Sequence, residues 1–236
     1  MVYVREFEGK INSFGVSGNL WRDALVMYDR ETGSYWSHVT GKGIKGKYKG
    51  TQLKSLPVQH LKWSEWKKIH PGSKVLQKSR FTTRSSYDRY NRSRERLGIV
   101  GTVNFDRRLD GKDKVLGLIV DDIPLVFPHK YFVGINSVNY SIAGVNLLVV
   151  FSKDADAATA FNRQVGEQLL SFETAVSPEG HYIRDIETGT LWNGLSGEAL
   201  EGKLKGQKLE PFVSTQAFWF GWRGFYPRTA IWNPSE

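Results

Sequence analysis

The run TGKGIKGKYKG, Thr40–Gly50, holds Gly41, four residues, and then Gly46-Lys47. That is one residue short of the glycine-rich loop that wraps a phosphate in backbone N–H groups. Such a loop also needs Ser or Thr after the lysine for Mg²⁺, a strand before it and a helix after it. Position 48 is tyrosine, and the flanking residues alternate as in a strand. At an offset of 156 residues SGEALEGKLKG, Ser196–Gly206, keeps the spacing of Gly41 and Gly46-Lys47 as Gly197 and Gly202-Lys203 but introduces Glu198 and Glu201, which repel phosphate. Spacing retained while charge reverses points to backbone geometry, so no nucleotide and no other cofactor is expected.

Ser17 lies in GVSGN, a loose likeness of a nucleophile elbow in which the second glycine comes one place early. With Asn19 and Asp29 it forms a candidate polar site for a hydrolase-like enzyme. The alternative is a bulge or tight bend marked by Gly15 and Gly18. A second group, Asp29, Thr32, Ser34 and Trp36, recurs as Asp185, Thr188, Thr190 and Trp192 and is a candidate pair of ligand pockets. The same residue types also suit a turn, where Asp and Thr bond the backbone and Trp anchors the sheet. Trp63 and Trp66, matched by Trp219 and Trp222, fit an aromatic platform or, at three-residue spacing, one helix face packed on a sheet. In YDRYNRSRER, Arg89, Arg92, Arg94 and Arg96 alternate with tyrosines, a composition suited to phosphate and stacking contacts. The histidines at 38, 60, 70, 129 and 181 have no ligand spacing and there is no cysteine, so no metal site is expected.

The elements that position these residues repeat. Tyr28–Leu53 over Arg184–Leu209 gives eleven identities in 26 positions without a gap. The register continues through Trp63 on Trp219, Trp66 on Trp222 and Pro71 on Pro227, and upstream, after a two-residue shift, Ser13-Phe14 meets Ser171-Phe172. Each copy reads as strand, Asp-to-Gly turn, strand, then glycine-punctuated turns; the first goes on with a short helix with Ser64 as its N-cap, a Pro-Gly stop and a closing strand KVLQ, and the second follows suit in AFWFGWRGFYPRTAIW. Between the copies, Arg84–Lys114 reads as a charged surface loop. KVLGLIVDDIPLVFP follows as two strands about an Asp-Asp turn, and INSVNYSIAGVNLLVVF as another pair. DADAATAFNRQVGEQLLSFE is ambiguous, Ala-rich and helix-permitting at first and then strand-like where it matches the start of the first copy.

The fold expected is therefore mainly β with a few short helices, as two pseudo-symmetric, hairpin-rich units packed into one body. Residues 1–83 form the first unit, 84–114 the linker and 115–236 the second. A cleft between related units is a natural place for a small ligand. The net charge of +9 is uneven: residues 1–96 carry 20 Lys+Arg and 8 Asp+Glu, or +12, and the remainder 13 and 16, or −3. That asymmetry makes polyanion binding through the basic N-terminal half a further expectation. No apolar run reaches the roughly 20 residues of a membrane helix, and the N-terminal residues alternate and carry charge, unlike a signal peptide.

The patterns FGVSG, YDRETGSYW, and WSEWKKIHPGSKVL, followed by DKVLGLIVDDIPLVFP, resemble the prokaryotic family called domain of unknown function 3179 over nearly the whole chain. The resemblance implies identity more than mechanism. It also implies an exported origin and, before the segment matching Tyr3–Phe14, a C-P-x-C-G motif and a further copy of the VLGLIVDDIPLVFP strand pair. The first unit is then N-terminally incomplete. In the second unit the place of that cysteine motif reads VVFSKDADAATAF, with Ser152, Asp154 and Asp156 and no cysteine.

Overall fold

The computed structural model describes residues 1–77, 87–99, 101, 106–175 and 181–235. The chain opens with β1 (Val2–Tyr3), the hairpin β2 (Glu6–Phe7) and β3 (Lys10–Ile11), and then the strands β4 (Phe14–Trp21), β5 (Ala24–Asp29), β6 (Tyr35–Ser37) and β7 (Gly43–Lys45). These last four form one antiparallel meander in chain order. β8 (Ser55–Leu56) returns to pair with β1, and α1 (Trp63–Ile69) follows. After α2 (Asp88–Arg92) come β9 (Lys114–Val120), β10 (Ile123–Pro128), β11 (Ser137–Ile142), β12 (Val145–Ser152) and β13 (Ala157–Asn162). The small hairpin β14 (Gln164–Val165) and β15 (Gln168–Leu169) leads into a second meander of β16 (Phe172–Thr174), β17 (Tyr182–Asp185), β18 (Leu191–Asn193) and β19 (Glu198–Glu201). The chain ends with β20 (Ser214–Phe218), α3 (Trp219–Phe225) and β21 (Ala230–Ile231).

The protein is mainly β, with three short α-helices among the described residues. Tight hairpins dominate because pairs of adjacent residues adopt positive φ at Glu8-Gly9, Arg22-Asp23, Asp121-Asp122 and Ala143-Gly144. That geometry matches the right-handed twist of the flanking strands, and Asp and Gly tolerate it best. β9 and β10 pair from Val120↔Ile123 to Val115↔Pro128, as the Asp-Asp turn and terminal proline predict.

The core is layered around β12. Its run LLVV, Leu147–Val150, is buried on both faces. Leu147 and Val149 join Leu116, Leu118, Leu125 and Phe127 of the β9–β10 sheet, while Leu148 and Val150 join Ile183 and Trp192 of the second meander. A strand covered on both sides need not alternate, which explains its continuous apolar run. On the other face of the β20-β9-β10-β21 sheet lie Trp219 and Trp222 of α3, against Val115 and Val126. Gly117 is required there, since a Cβ on it meets the Trp222 ring at 2.4 Å.

Four local expectations need correction. DADAATAF is not helix: Asp154–Asp156 form a turn, and Ala157–Asn162 completes the sheet beside β12. Ser64 sits inside α1, and the cap position is Lys62 without a side-chain bond. KVLQ forms no strand, although Ala230–Ile231 at the same offset pairs parallel with β10. The described part of the linker is more than a solvated loop: it contains α2, and Leu97 and Leu109 are buried.

Candidate functional site

Asp29 ends β5 and is fully buried. Its Oδ1 accepts hydrogen bonds from the Thr32 amide and hydroxyl, both at 2.7 Å, and its Oδ2 accepts from Trp36 Nε1 at 2.8 Å. Ser34 shares a 2.7 Å bond with the Thr32 hydroxyl and accepts one from the Tyr48 amide. In the second meander Asp185 receives the Thr188 amide and hydroxyl and Trp192 Nε1, while Thr190 bonds the Thr188 hydroxyl and the Leu204 amide. Burial raises the Asp29 carboxyl, and the donors from Thr32 and Trp36 outweigh it, holding its pKa below the usual aspartate value. The two groups brought together by sequence are therefore two turn staples, each with its oxygens occupied by its own backbone and tryptophan.

The glycines of Thr40–Gly50 belong to the same construction. Gly46 and Gly202 have positive φ, and a Cβ at either falls within 2.9 Å of the Cα of Ser34 or Thr190. Only glycine lets the turn close over the staple.

Ser17 and Asn19 sit on β4 where its register with β5 shifts between Val16 and Leu20. The Ser17 hydroxyl donates to the Val26 carbonyl at 2.6 Å and accepts from the Asn19 amide at 3.1 Å. Asp29 pairs with Phe14, at the far end of the same ladder from the Leu20↔Leu25 pair. Arg89, Arg92, Arg94 and Arg96 are exposed along and after α2, and among the described residues no carboxylate forms an ion pair with them. Arg92 and Arg94 border a recess of about 650 Å³ that Glu95, Asp110 and Asp113 also line.

A different group of residues lines a cavity of about 390 Å³ where the first and second halves of the chain meet. His60, Leu61 and Lys62 form one wall, and Lys114, Ala155, Asp156, Gln216, Ala217 and Phe218 form the other. The walls are tied by Gln216 Nε2 donating to the His60 carbonyl at 2.6 Å and by Lys62 Nζ donating to the Asp154 carbonyl at 2.7 Å. Lys114 and Asp156 form an ion pair at the rim. Desolvation, aided by the Met1 ammonium, lowers the His60 pKa and keeps its imidazole neutral at pH 7. The site thus has a neutral imidazole, two ammonium groups, one carboxylate and an apolar wall. The sequence singled out His60 and Asp156 separately and did not join them to the other residues of this wall, because none stands in a shared motif. The one available signal was the pairing of His60 with Gln216 at offset 156, which here is a physical contact.

Among the described residues no three His, Asp or Glu side chains converge as metal ligands do, and no helix is long and apolar enough to cross a membrane. The family model described as protein of unknown function (DUF3179) matches residues 1–229. The chain belongs to that family. No curated protein and no solved structure matches it. Within this DUF3179 chain, then, the chemistry of the site has to be read from its own residues.

Proposed function

We propose that this DUF3179 protein is a non-catalytic binding module that holds a small organic anion with an apolar body in the cavity between its two halves. On this reading the halves are duplicated units of one compact body, and the Asp29 and Asp185 staples are scaffold. The observation that carries it is the lining: Phe218, Ala217 and Leu61 supply apolar surface, while the Lys62 and Lys114 ammonium groups exceed the single Asp156 carboxylate by one charge. Concave apolar walls with a few convergent polar groups are the usual form of a ligand site. The absence of a catalytic role is supported by the hydrogen bonds of Ser17, Asp29 and Ser34, each engaged within its own hairpin.

The experiment is a thermal-shift titration with aryl and alkyl carboxylates on the wild type, Lys62→Glu and Ser17→Ala. Saturable stabilisation that Lys62→Glu removes and Ser17→Ala leaves intact is the expected result. Turnover in a hydrolase panel, abolished by Ser17→Ala in a folded protein, overturns the proposal in favour of an enzyme. The exposed arginines along and after α2 favour a second reading, polyanion binding through the basic N-terminal half, although three carboxylates share the recess of Arg92 and Arg94.

A further inference from the structure

The cavity between the two halves does not end at its own wall. Its Lys114 and Phe218 also border the recess of about 650 Å³ that holds Arg92 and Arg94. Lys114 opens β9 and Phe218 closes β20, and the two are Cα partners on the last rung of that ladder. Side chains paired directly across a ladder lie on the same face. One rung therefore carries an ammonium group and a phenyl ring side by side. Gln216 and Ala217 of the cavity lie on its strand side, and Gly111 and Asp113 of the recess lie where β9 has not yet begun.

The far wall is held in place. Lys112 Nζ lies 3.6 Å from the centre of the Tyr90 ring and 5.6 Å from that of Phe218, and it donates to the Tyr90 carbonyl. α2, which carries Tyr90, is thereby fastened to the Phe218 wall by cation–π contacts. The Trp219 and Phe220 amides donate to the Asp113 and Gly111 carbonyls, both at 2.9 Å, and carry the backbone pairing past the rung.

Charge divides evenly between the two hollows. In the cavity Lys62 and Lys114 share the lining with one carboxylate, Asp156, a surplus of one positive charge. In the recess Asp113 is already neutralised by Lys130, whose Nζ donates to it at 2.7 Å. That leaves Arg92, Arg94 and Lys112 against Glu95 and Asp110, again a surplus of one. Phe218 is common to both.

We propose that the two hollows form one site whose ligand is a linear organic dianion, with one acidic group in the cavity, a second at Arg92 and Arg94, and an apolar link across Phe218. This rests on the cavity reading and extends it from a monoanion to a bridging diacid. Guanidinium groups suit the second acid because their planar fork binds a carboxylate through two parallel hydrogen bonds. A long polyanion fits less well, since Asp156, Glu95 and Asp110 interrupt the run of cations.

Isothermal titration calorimetry at fixed ionic strength tests it, comparing adipate, suberate and sebacate with hexanoate, octanoate and decanoate on the wild type, Lys62→Glu and Arg92→Gln/Arg94→Gln. For at least one diacid the second carboxylate should improve affinity about tenfold over the monoacid of equal length, the worth of one exposed charge-assisted contact. Arg92→Gln/Arg94→Gln should remove that gain and leave monoacid binding unchanged; both side chains are exposed, so the fold should persist. Lys62→Glu should weaken diacids and monoacids alike. Succinate, too short to reach both hollows, should gain nothing over butyrate. Equal binding of diacid and monoacid, both weakened by Lys62→Glu, overturns the bridging site and leaves the cavity reading standing. A gain that succinate shares, or one that survives Arg92→Gln/Arg94→Gln, also overturns it, because net charge or another contact then attracts the second acid. Binding of none of these acids removes the cavity reading and the bridging site together.

Discussion

Replacing Asp29 separates a scaffold from a reactive site. Its carboxylate receives three donors, and one of them, Trp36 Nε1, belongs to a fully buried ring. In Asp29→Ala the Thr32 donors can turn to water, since that turn is only part-buried. The indole N–H cannot. Loss of charge-assisted bonds worth about 1.5–3 kcal/mol each, with one buried donor left unsatisfied, predicts destabilisation of about 3–5 kcal/mol. In Asp29→Asn an NH₂ must face either Thr32 or Trp36, so the loss is of similar kind and about 2–4 kcal/mol. Trp36→Phe removes the donor together with its need, so Asp29→Asn combined with Trp36→Phe should cost less than the sum by about 1 kcal/mol. Urea denaturation monitored by circular dichroism measures all four proteins. The pH sign is fixed by the lowered folded pKa: the contribution is present above the unfolded value of about 4 and is lost as pH falls through the folded one. Asp29→Ala should flatten that acid limb. A loss below about 1 kcal/mol with an unchanged denaturant slope, or a gain in stability, refutes the reasoning, because residues held for function are commonly replaced without loss of stability.

Three further outcomes are expected. Gly117→Ala places a Cβ 2.4 Å from the Trp222 ring and should lower stability by about 1–3 kcal/mol, whereas Gly221→Ala in α3, with nothing within 4 Å, should raise it by up to about 1 kcal/mol; thermal denaturation reads both. His129 is buried against Phe151 with no hydrogen-bond partner for either ring nitrogen among the described residues, and burial lowers its pKa to about 4. Its stabilisation is therefore complete above the unfolded pKa of 6.5 and declines by about 3 kcal/mol as pH falls to about 4, a slope that His129→Leu should remove in denaturation series across that range. If the arginines along and after α2 hold polyanions, Arg92→Glu with Arg94→Glu should reduce the salt needed to elute the protein from heparin well beyond the effect of two exchanges at other exposed lysines.

How much was legible follows from the range of the interactions. The Asp121-Asp122 hairpin, the Asp29 turn and the glycine signature were readable because each is decided within a few residues by φ sign and local hydrogen bonds. The staple was readable twice, since Asp185 and Trp192 carry it again. DADAATAF misled because alanine is indifferent until β12 offers an edge to pair with. Trp63 was expected on an aromatic platform or a helix face packed against a sheet; its counterpart Trp219 is packed on a sheet, while Trp63 itself is 43% exposed. A cleft between the units was expected, but its lining was not legible, because His60, Lys114, Asp156 and Phe218 lie far apart in sequence and meet only through tertiary packing.

The most direct measurement is saturation-transfer NMR of aryl and alkyl carboxylates with the wild type, Lys62→Glu and Ser17→Ala proteins. The account predicts a saturable signal from at least one acid, lost in Lys62→Glu and kept in Ser17→Ala. No saturable signal from any of them, or one that survives Lys62→Glu and vanishes with Ser17→Ala, would contradict it.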